Sequence, residues 1–171
     1  MSTKQNEIHP FFDLLQTVNR LRGEHGCPWD CAQSHESLKK HMIEETIEII
    51  AAIDLFHQTG KDENLCEELG DLLFLILLQS KIAEQDGRFC IEDVIHRIDE
   101  KMKHRHPRIF STSSEENVKK TWQELKAEEH HGTLEMTQSA KNLQKSLSSE
   151  VMELIKKYEN EDNWIKSTKI S

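Results

Sequence analysis

Glycine and proline are scarce in this chain of 171 residues, six and three in all. Barrels and sandwiches need many tight turns, so the scarcity argues against an all-β fold. Cysteine is scarce as well. Cys27, Cys31, Cys66 and Cys90 are few and irregularly spaced, which excludes a disulfide framework and points to a reduced, cytoplasmic setting. The longest apolar run, LLFLILL from Leu72 to Leu78, is far too short to span a bilayer, and the opening MSTKQNEIHP has no apolar core of signal-peptide length. No membrane partner is expected. Positive charge is outweighed, 22 Lys and Arg against 31 Asp and Glu, for a net −9 with histidine neutral. The electrostatic footprint of a nucleic-acid binder is therefore missing. Any polyanionic ligand has to be met by a local basic cluster or by bound cations.

What is present is helical periodicity. Phe11, Leu14, Leu15, Val18 and Leu21 recur at steps of three and four and predict a helix over Pro10 to Leu21. Gly23 to His35 breaks that period and reads as a loop. Ser34 is a candidate cap for a second long helix, which runs to about His57 before Gly60. Asp62 opens a third through Glu84, with Gly87 as its stop, and a fourth runs from Ile91 to His104 ahead of Pro107. Ser113 with Glu116 has the capping-box pattern for a fifth helix, to about His131. A last amphipathic stretch covers Leu143 to Tyr158, and Gly132 to Ser139 is the candidate hinge. The expectation is an all-α bundle over residues 1–133, followed by a helical extension over residues 134–171. The long second and third helices, joined by a short turn, are expected to pack antiparallel.

Two acidic clusters lie on those two helices: Glu44, Glu45 and Glu48, then Glu67, Glu68 and Asp71. Residues three apart sit about 60° apart around a helix axis, so Glu45 with Glu48, and Glu68 with Asp71, each make a two-carboxylate prong. On the second helix the acids could be a wetted face, since Met42, Ile43, Ile47, Ile49, Ile50 and Ile53 fill the opposite arc, although Ala51 and Ala52 share the acidic one. The third helix resists that reading. Phe74, Leu75 and Leu78 project on the side of Glu67, Glu68 and Asp71, and beyond Asp71 the helix is apolar all round, the mark of a buried element. Carboxylates at its entrance need cationic partners or metal ions. Four carboxylates without paired histidines suit a hard ion such as Mg²⁺ or Mn²⁺. A di-iron bundle would want a histidine three residues after a glutamate on two helices, where this chain has Glu48 and Asp71.

The segment KMKHRHPRIF gathers Lys101, Lys103, Arg105 and Arg108 with His104 and His106. It serves either as cations at a helix C-terminus or as a phosphate clamp, which Trp122 and Lys126, one turn apart, could help close. Trp29 could stack on a planar base or staple its loop to the bundle. Cys27 and Cys31 with His25 or His35 have zinc-donor chemistry, but the spacing is loose and no second cysteine pair follows.

The pattern Glu44-Glu45-x-x-Glu48, nineteen residues, then Glu68-x-x-Asp71 resembles the signature of the all-α nucleoside triphosphate pyrophosphohydrolases. More narrowly, LR…GCPWD, EELGDLLF, GRF, K…RHP and W…K, in that order from Pro10 to about Glu129, are similar to MazG. The resemblance implies hydrolysis of a nucleoside triphosphate to monophosphate and pyrophosphate, with Mg²⁺ (Mn²⁺ as substitute) and water attacking the α-phosphorus. It implies Glu45, Glu48, Glu68 and Asp71 as metal ligands, and Glu44 as an outer support or base. Lys101, Arg105, Trp122 and Lys126 would be substrate contacts, and the assembly a homodimer. This chain reads His104-Arg105 where many relatives have two arginines before His-Pro. A pyrophosphohydrolase for dUTP, dCTP or phosphoribosyl-ATP, or a catalytically inactive nucleotide-binding module, are the alternatives.

Overall fold

The structure, a computed structural model, describes residues 9–110 and 121–128, the side chains of 126–128 excepted. All its regular elements are helices, and no strand occurs among the described residues. The chain divides into two compact units, Met1–Arg97 and Ile98–Ser171.

In the first unit, α1 (Pro10–Leu21) opens with proline in its first turn, where the missing N–H costs nothing. At its end Cys27 N–H donates to Leu21 O (2.8 Å). Gly26 lies so close to that carbonyl that a Cβ would come within 2.0 Å of it, so only glycine permits the turn. The expected loop of residues 23–35 is not wholly irregular: Pro28–Ala32 forms α2, a helix of five residues. Pro28 presets its first φ and Asp30 lies in its first turn, where a carboxylate favours the N-terminal dipole.

Ser34 and Ser37 then exchange hydrogen bonds, each Oγ accepting the other's backbone N–H (3.2 and 2.9 Å). This satisfies donors ahead of α3 (Leu38–Thr59) much as a capping box does. Gly60, at φ +73°, closes α3 with its N–H on Phe56 O (2.8 Å). Asp62 precedes α4 (Glu63–Gln85) at the cap position, but its side chain makes no cap bond. Past α4, Gly87 at φ +68° lets its N–H reach Glu84 O (3.0 Å) and that of Arg88 reach Ala83 O (2.9 Å), the paired bonds of a Schellman stop.

The core of this unit joins Val18 of α1, Leu38 of α3, Leu75, Leu77, Leu78 and Ile82 of α4, and Ile91 at the start of α5 (Ile91–Arg105). Each such leucine contributes about 1.5–3 kcal/mol by leaving water. α3 and α4 run antiparallel, as expected: His35, just before α3, hydrogen-bonds Gln79 late in α4, while Glu48, midway along α3, bonds Glu68 early in α4.

On α3, Leu38, Glu45, Glu48 and Ala52 recur at helical spacing; Leu38 and Ala52 are buried, and Glu45 and Glu48 meet Glu68 of α4. Of the two readings of α3, the wetted acidic face is not the one formed, since Glu45 and Glu48 meet Glu68. Ile50 is 57% and Ile53 48% exposed, so the acid-and-alanine stripe turns to α4 and part of the isoleucine arc turns out. Ala52 is buried in that stripe whereas Ala51 is exposed. A small residue and clustered acids leave room between the helices that isoleucines would fill.

In the second unit, α5 ends at Arg105, ahead of Pro107 as expected, and α6 (Pro107–Phe110) follows at once. α7 (Trp122–Glu128) begins with a capping box in which Thr121 N–H donates to Glu124 Oε2 (2.7 Å) and Glu124 N–H to Thr121 Oγ1 (3.3 Å). The expected cap at Ser113 and Glu116, the helix over 143–158 and the boundary between residues 133 and 134 lie outside the described residues.

Candidate functional site

The antiparallel seam brings Glu45 and Glu48 of α3 to Glu68 of α4. One carboxylate oxygen from each lies within 4.8 Å of the other two. Glu68 is 9% exposed, and Glu45 Oε2 is buried with no hydrogen-bond partner. A buried carboxylate oxygen without a donor is costly, so the fold maintains this convergence against its electrostatics. Burial is the main reason that Glu45 is pushed up to about 7 from an ordinary 4.5; the charges of Glu48, Asp71, Glu68 and Glu44 add to it. Glu68 is likewise pushed up to about 7, by burial first and then by Glu48, Asp71 and Glu67. Glu48, which stands against Glu68, is among the groups that raise it, as a carboxylate sharing a site does.

Asp71 lies outside the 4.8 Å triad and reaches solvent, yet it acts on Glu45 and is itself raised, by loss of hydration first and then by Glu67 and Glu48. An inward-facing set of oxygen donors with one oxygen unsatisfied fits a hard divalent cation. Among the described residues no other group of His, Cys, Asp or Glu brings three donor atoms that close, so the zinc option at Cys27 and Cys31 is not formed. Cys31 Sγ instead points at Leu21 O (3.4 Å), and His35 Nδ1 is engaged by Gln79.

Glu44 turns along its own helix. Its Oε2 pairs with His41 Nδ1 (3.1 Å) and its Oε1 with Lys40 Nζ (3.8 Å). The ring of His41 meets that of Trp29 on α2, centroids 5.7 Å apart and planes at 68°, so Trp29 does brace its segment, though it remains 50% exposed. Arg22 anchors the same segment. Its Nη1 donates to the carbonyls of Asp30 and Gln33 (3.1 Å to the latter) and its Nε to Gln85 Oε1 (2.8 Å), while Gln85 Nε2 donates to Arg22 O (3.1 Å).

In the second unit the Arg105 guanidinium lies over the Trp122 ring, 5.0 Å from its centroid, a cation–π contact. Lys101 is exposed, Lys103 bonds Asp99, and His106 Nδ1 engages Met102 O (2.7 Å). The side chain of Lys126 lies outside the described residues. Sequence reasoning missed two participants. His41 stands three residues before Glu44, a spacing that could have flagged it; the convergence of Arg22 on two loop carbonyls leaves no mark in the sequence.

Comparison with known proteins covers most of this chain. It is 42% identical over 119 residues to the nucleoside triphosphate pyrophosphohydrolase/pyrophosphatase MazG of Thermotoga maritima, which takes in 70% of this chain and 45% of that protein. It is 39% identical over 121 residues to the nucleoside triphosphate pyrophosphohydrolase of Escherichia coli K12, 68% of this chain and 44% of that one. To the uncharacterized protein YabN of Bacillus subtilis it is 42% identical over 124 residues, 71% of this chain and 24% of that protein. The chain thus spans about half or less of the length of these curated relatives. The MazG nucleotide pyrophosphohydrolase domain matches residues 33–110, a range that takes in all of α3 and α4 with Glu45, Glu48, Glu68 and Asp71. Through that stretch the chain belongs to the MazG nucleotide pyrophosphohydrolase domain family.

Proposed function

We propose that this protein hydrolyses a nucleoside triphosphate to the monophosphate and pyrophosphate, with water attacking the α-phosphorus and Mg²⁺, or Mn²⁺ in its place, as the required cation. The observation that carries the reading is the convergence of Glu45, Glu48 and Glu68 around an unsatisfied, buried Glu45 oxygen. Those three, with Asp71 at the rim, would hold the cation. When bound, it offsets the charge of both carboxylates and phosphates and lowers the pKa of coordinated water.

The chain's own residues divide the remaining work. Glu44, tied to Lys40 and His41, supports the charge and orientation of Glu45 from outside the triad. Glu48 is the candidate for orienting the attacking water, since it faces the centre beside Glu45 and Glu68. Lys101 and Arg105, with Trp122 and Lys126, are proposed as substrate contacts on the family resemblance, which gives the two cations the charge of a leaving pyrophosphate to meet. Trp29, half exposed beside the acidic helix, takes the face of the base. A homodimer in a cytoplasmic setting completes the reading. The outward isoleucines of α3 support the first. The second draws on the four free cysteines and on the absence, among the described residues, of a helix long and apolar enough to cross a membrane.

The test is a nucleotide panel that includes dUTP and dCTP, assayed with and without Mg²⁺, with both products identified. Monophosphate plus pyrophosphate, formed only with the cation, is the expected result. Diphosphate plus orthophosphate would refute the reaction.

A further inference from the structure

Trp29 is a large ring on a helix of only five residues, α2, which is too short to set its direction unaided. The surrounding contacts do so. Behind it, Arg22 holds both Asp30 O and Gln33 O and is itself clamped by Gln85. On its ring side it meets His41 edge-to-face, at 5.7 Å and 68°, an arrangement whose attraction depends on orientation. His41 in turn is not free to rotate. The bond from its Nδ1 to Glu44 Oε2 (3.1 Å) places a proton on Nδ1 and fixes the ring plane. Glu44 adjoins Glu45 on α3. The exposed ring is thus aligned, through one histidine, with the helix that carries the carboxylate triad.

We propose that His41 is a positioning residue that fixes the plane of Trp29 as a stacking platform for the base of the nucleotide. The inference rests on the reading that the triphosphate is handled at Glu45, Glu48 and Glu68, and it adds how the base is kept in register with them. An exposed tryptophan left to sample several rotamers would have to be ordered at each binding event; a braced one is preorganised. The operative feature of His41 is its ring, with the Glu44 bond as its hinge pin. Loss of the ring should therefore weaken nucleotide capture and leave the chemical step alone.

The experiment compares wild type, His41→Ala, His41→Phe, Trp29→Ala and the Trp29→Ala/His41→Ala pair. KM and kcat are measured for the Mg²⁺ complexes of the four common ribonucleoside triphosphates, and the binding of a non-hydrolysable α,β-methylene analogue by calorimetry. His41→Ala should raise KM and the analogue's dissociation constant about two- to tenfold, the range for one aromatic contact, with kcat unchanged because Glu44 keeps Lys40 as its partner. His41→Phe, which keeps a ring but loses the Glu44 bond, should recover part of that loss. In the Trp29→Ala background the His41 change should add nothing. Should His41→Ala lose its helical circular dichroism, His41→Gln, polar but ringless, replaces it with the same expectation.

A wild-type KM in the ringless variant overturns the proposal, as does an equal loss in the Trp29→Ala background, or a Phe variant as weak as the Ala one. In each of those results the wild-type enzyme still turns over substrate and the parent reading survives. A wild type that neither binds the analogue nor cleaves any triphosphate removes both.

Discussion

Glu45 and Glu68 are carboxylates that the fold makes hard to ionise, and the consequences can be measured at the level of single side chains. Both are pushed up to about 7 from 4.5 in the folded chain. Between those values the folded state holds more protons than the unfolded one, so the unfolding free energy falls as pH rises. The favourable contribution is complete below about 4.5 and gone above about 7. Melting of the metal-free protein in EDTA should therefore drop between pH 5 and pH 8, and Glu45→Gln with Glu68→Gln should flatten that part of the curve. Mg²⁺ competes with protons for the same oxygens, so its stabilising effect should be small at pH 5 and large at pH 8. The Gln variants should melt no lower than wild type at pH 8 without metal, yet lose about a hundredfold or more in turnover, since a metal centre is worth several kcal/mol to the transition state. A Gln variant that keeps full turnover would show that the triad is not the reacting centre.

The elements were legible to different degrees, and Arg22 shows where legibility stopped. The ends of α1, α3, α4 and α5 follow from Pro10, Gly60, Gly87 and Pro107, because each fixes or forbids a backbone conformation locally. α2 was not foreseen, since five residues are too few to establish a period. On α3 the sequence left the acidic face open between wetted surface and site: its isoleucines made the first plausible, while buried Leu38 and Ala52 with the converging Glu45 and Glu48 form a chemically mixed set. The triad itself was legible because Glu-x-x-Glu and Glu-x-x-Asp place donors on one face whatever lies opposite. The braces of Trp29 were not, because they join residues of different elements. Of these, Arg22 is the mechanical key to α2, with charge-assisted bonds to two carbonyls. Arg22→Ala should cost about 1–3 kcal/mol, seen as a lower denaturant midpoint, and should speed proteolytic cutting within residues 23–35. Unchanged midpoint and cutting would mean that Gly26 and Pro28 hold the segment unaided.

For the whole molecule, the charge balance and the surface of α3 bear on assembly. A chain with net charge −9 gains nothing electrostatically by self-association, so any contact between copies must draw on apolar surface. α3 supplies it: a helix of 22 residues, about 33 Å long, turns Ile50 and Ile53 outward at 57% and 48% exposure. Surface of that kind on an otherwise highly charged chain is characteristic of an interface. A second copy laying its own α3 along this face would bury the isoleucines on both sides with one set of residues, as a two-fold contact requires. It would also stiffen the helix that carries Glu45 and Glu48 from the face opposite the triad. Ile50→Asp with Ile53→Asp would place four unpaired carboxylates in such a contact, at a cost well beyond the burial lost. Sedimentation equilibrium should then give the mass of a dimer for the wild type and of a monomer for the double variant. Circular dichroism should remain helical, and turnover should fall in step with the monomer fraction. A wild type that sediments at 20.0 kDa at all concentrations would show that these isoleucines face solvent rather than another copy.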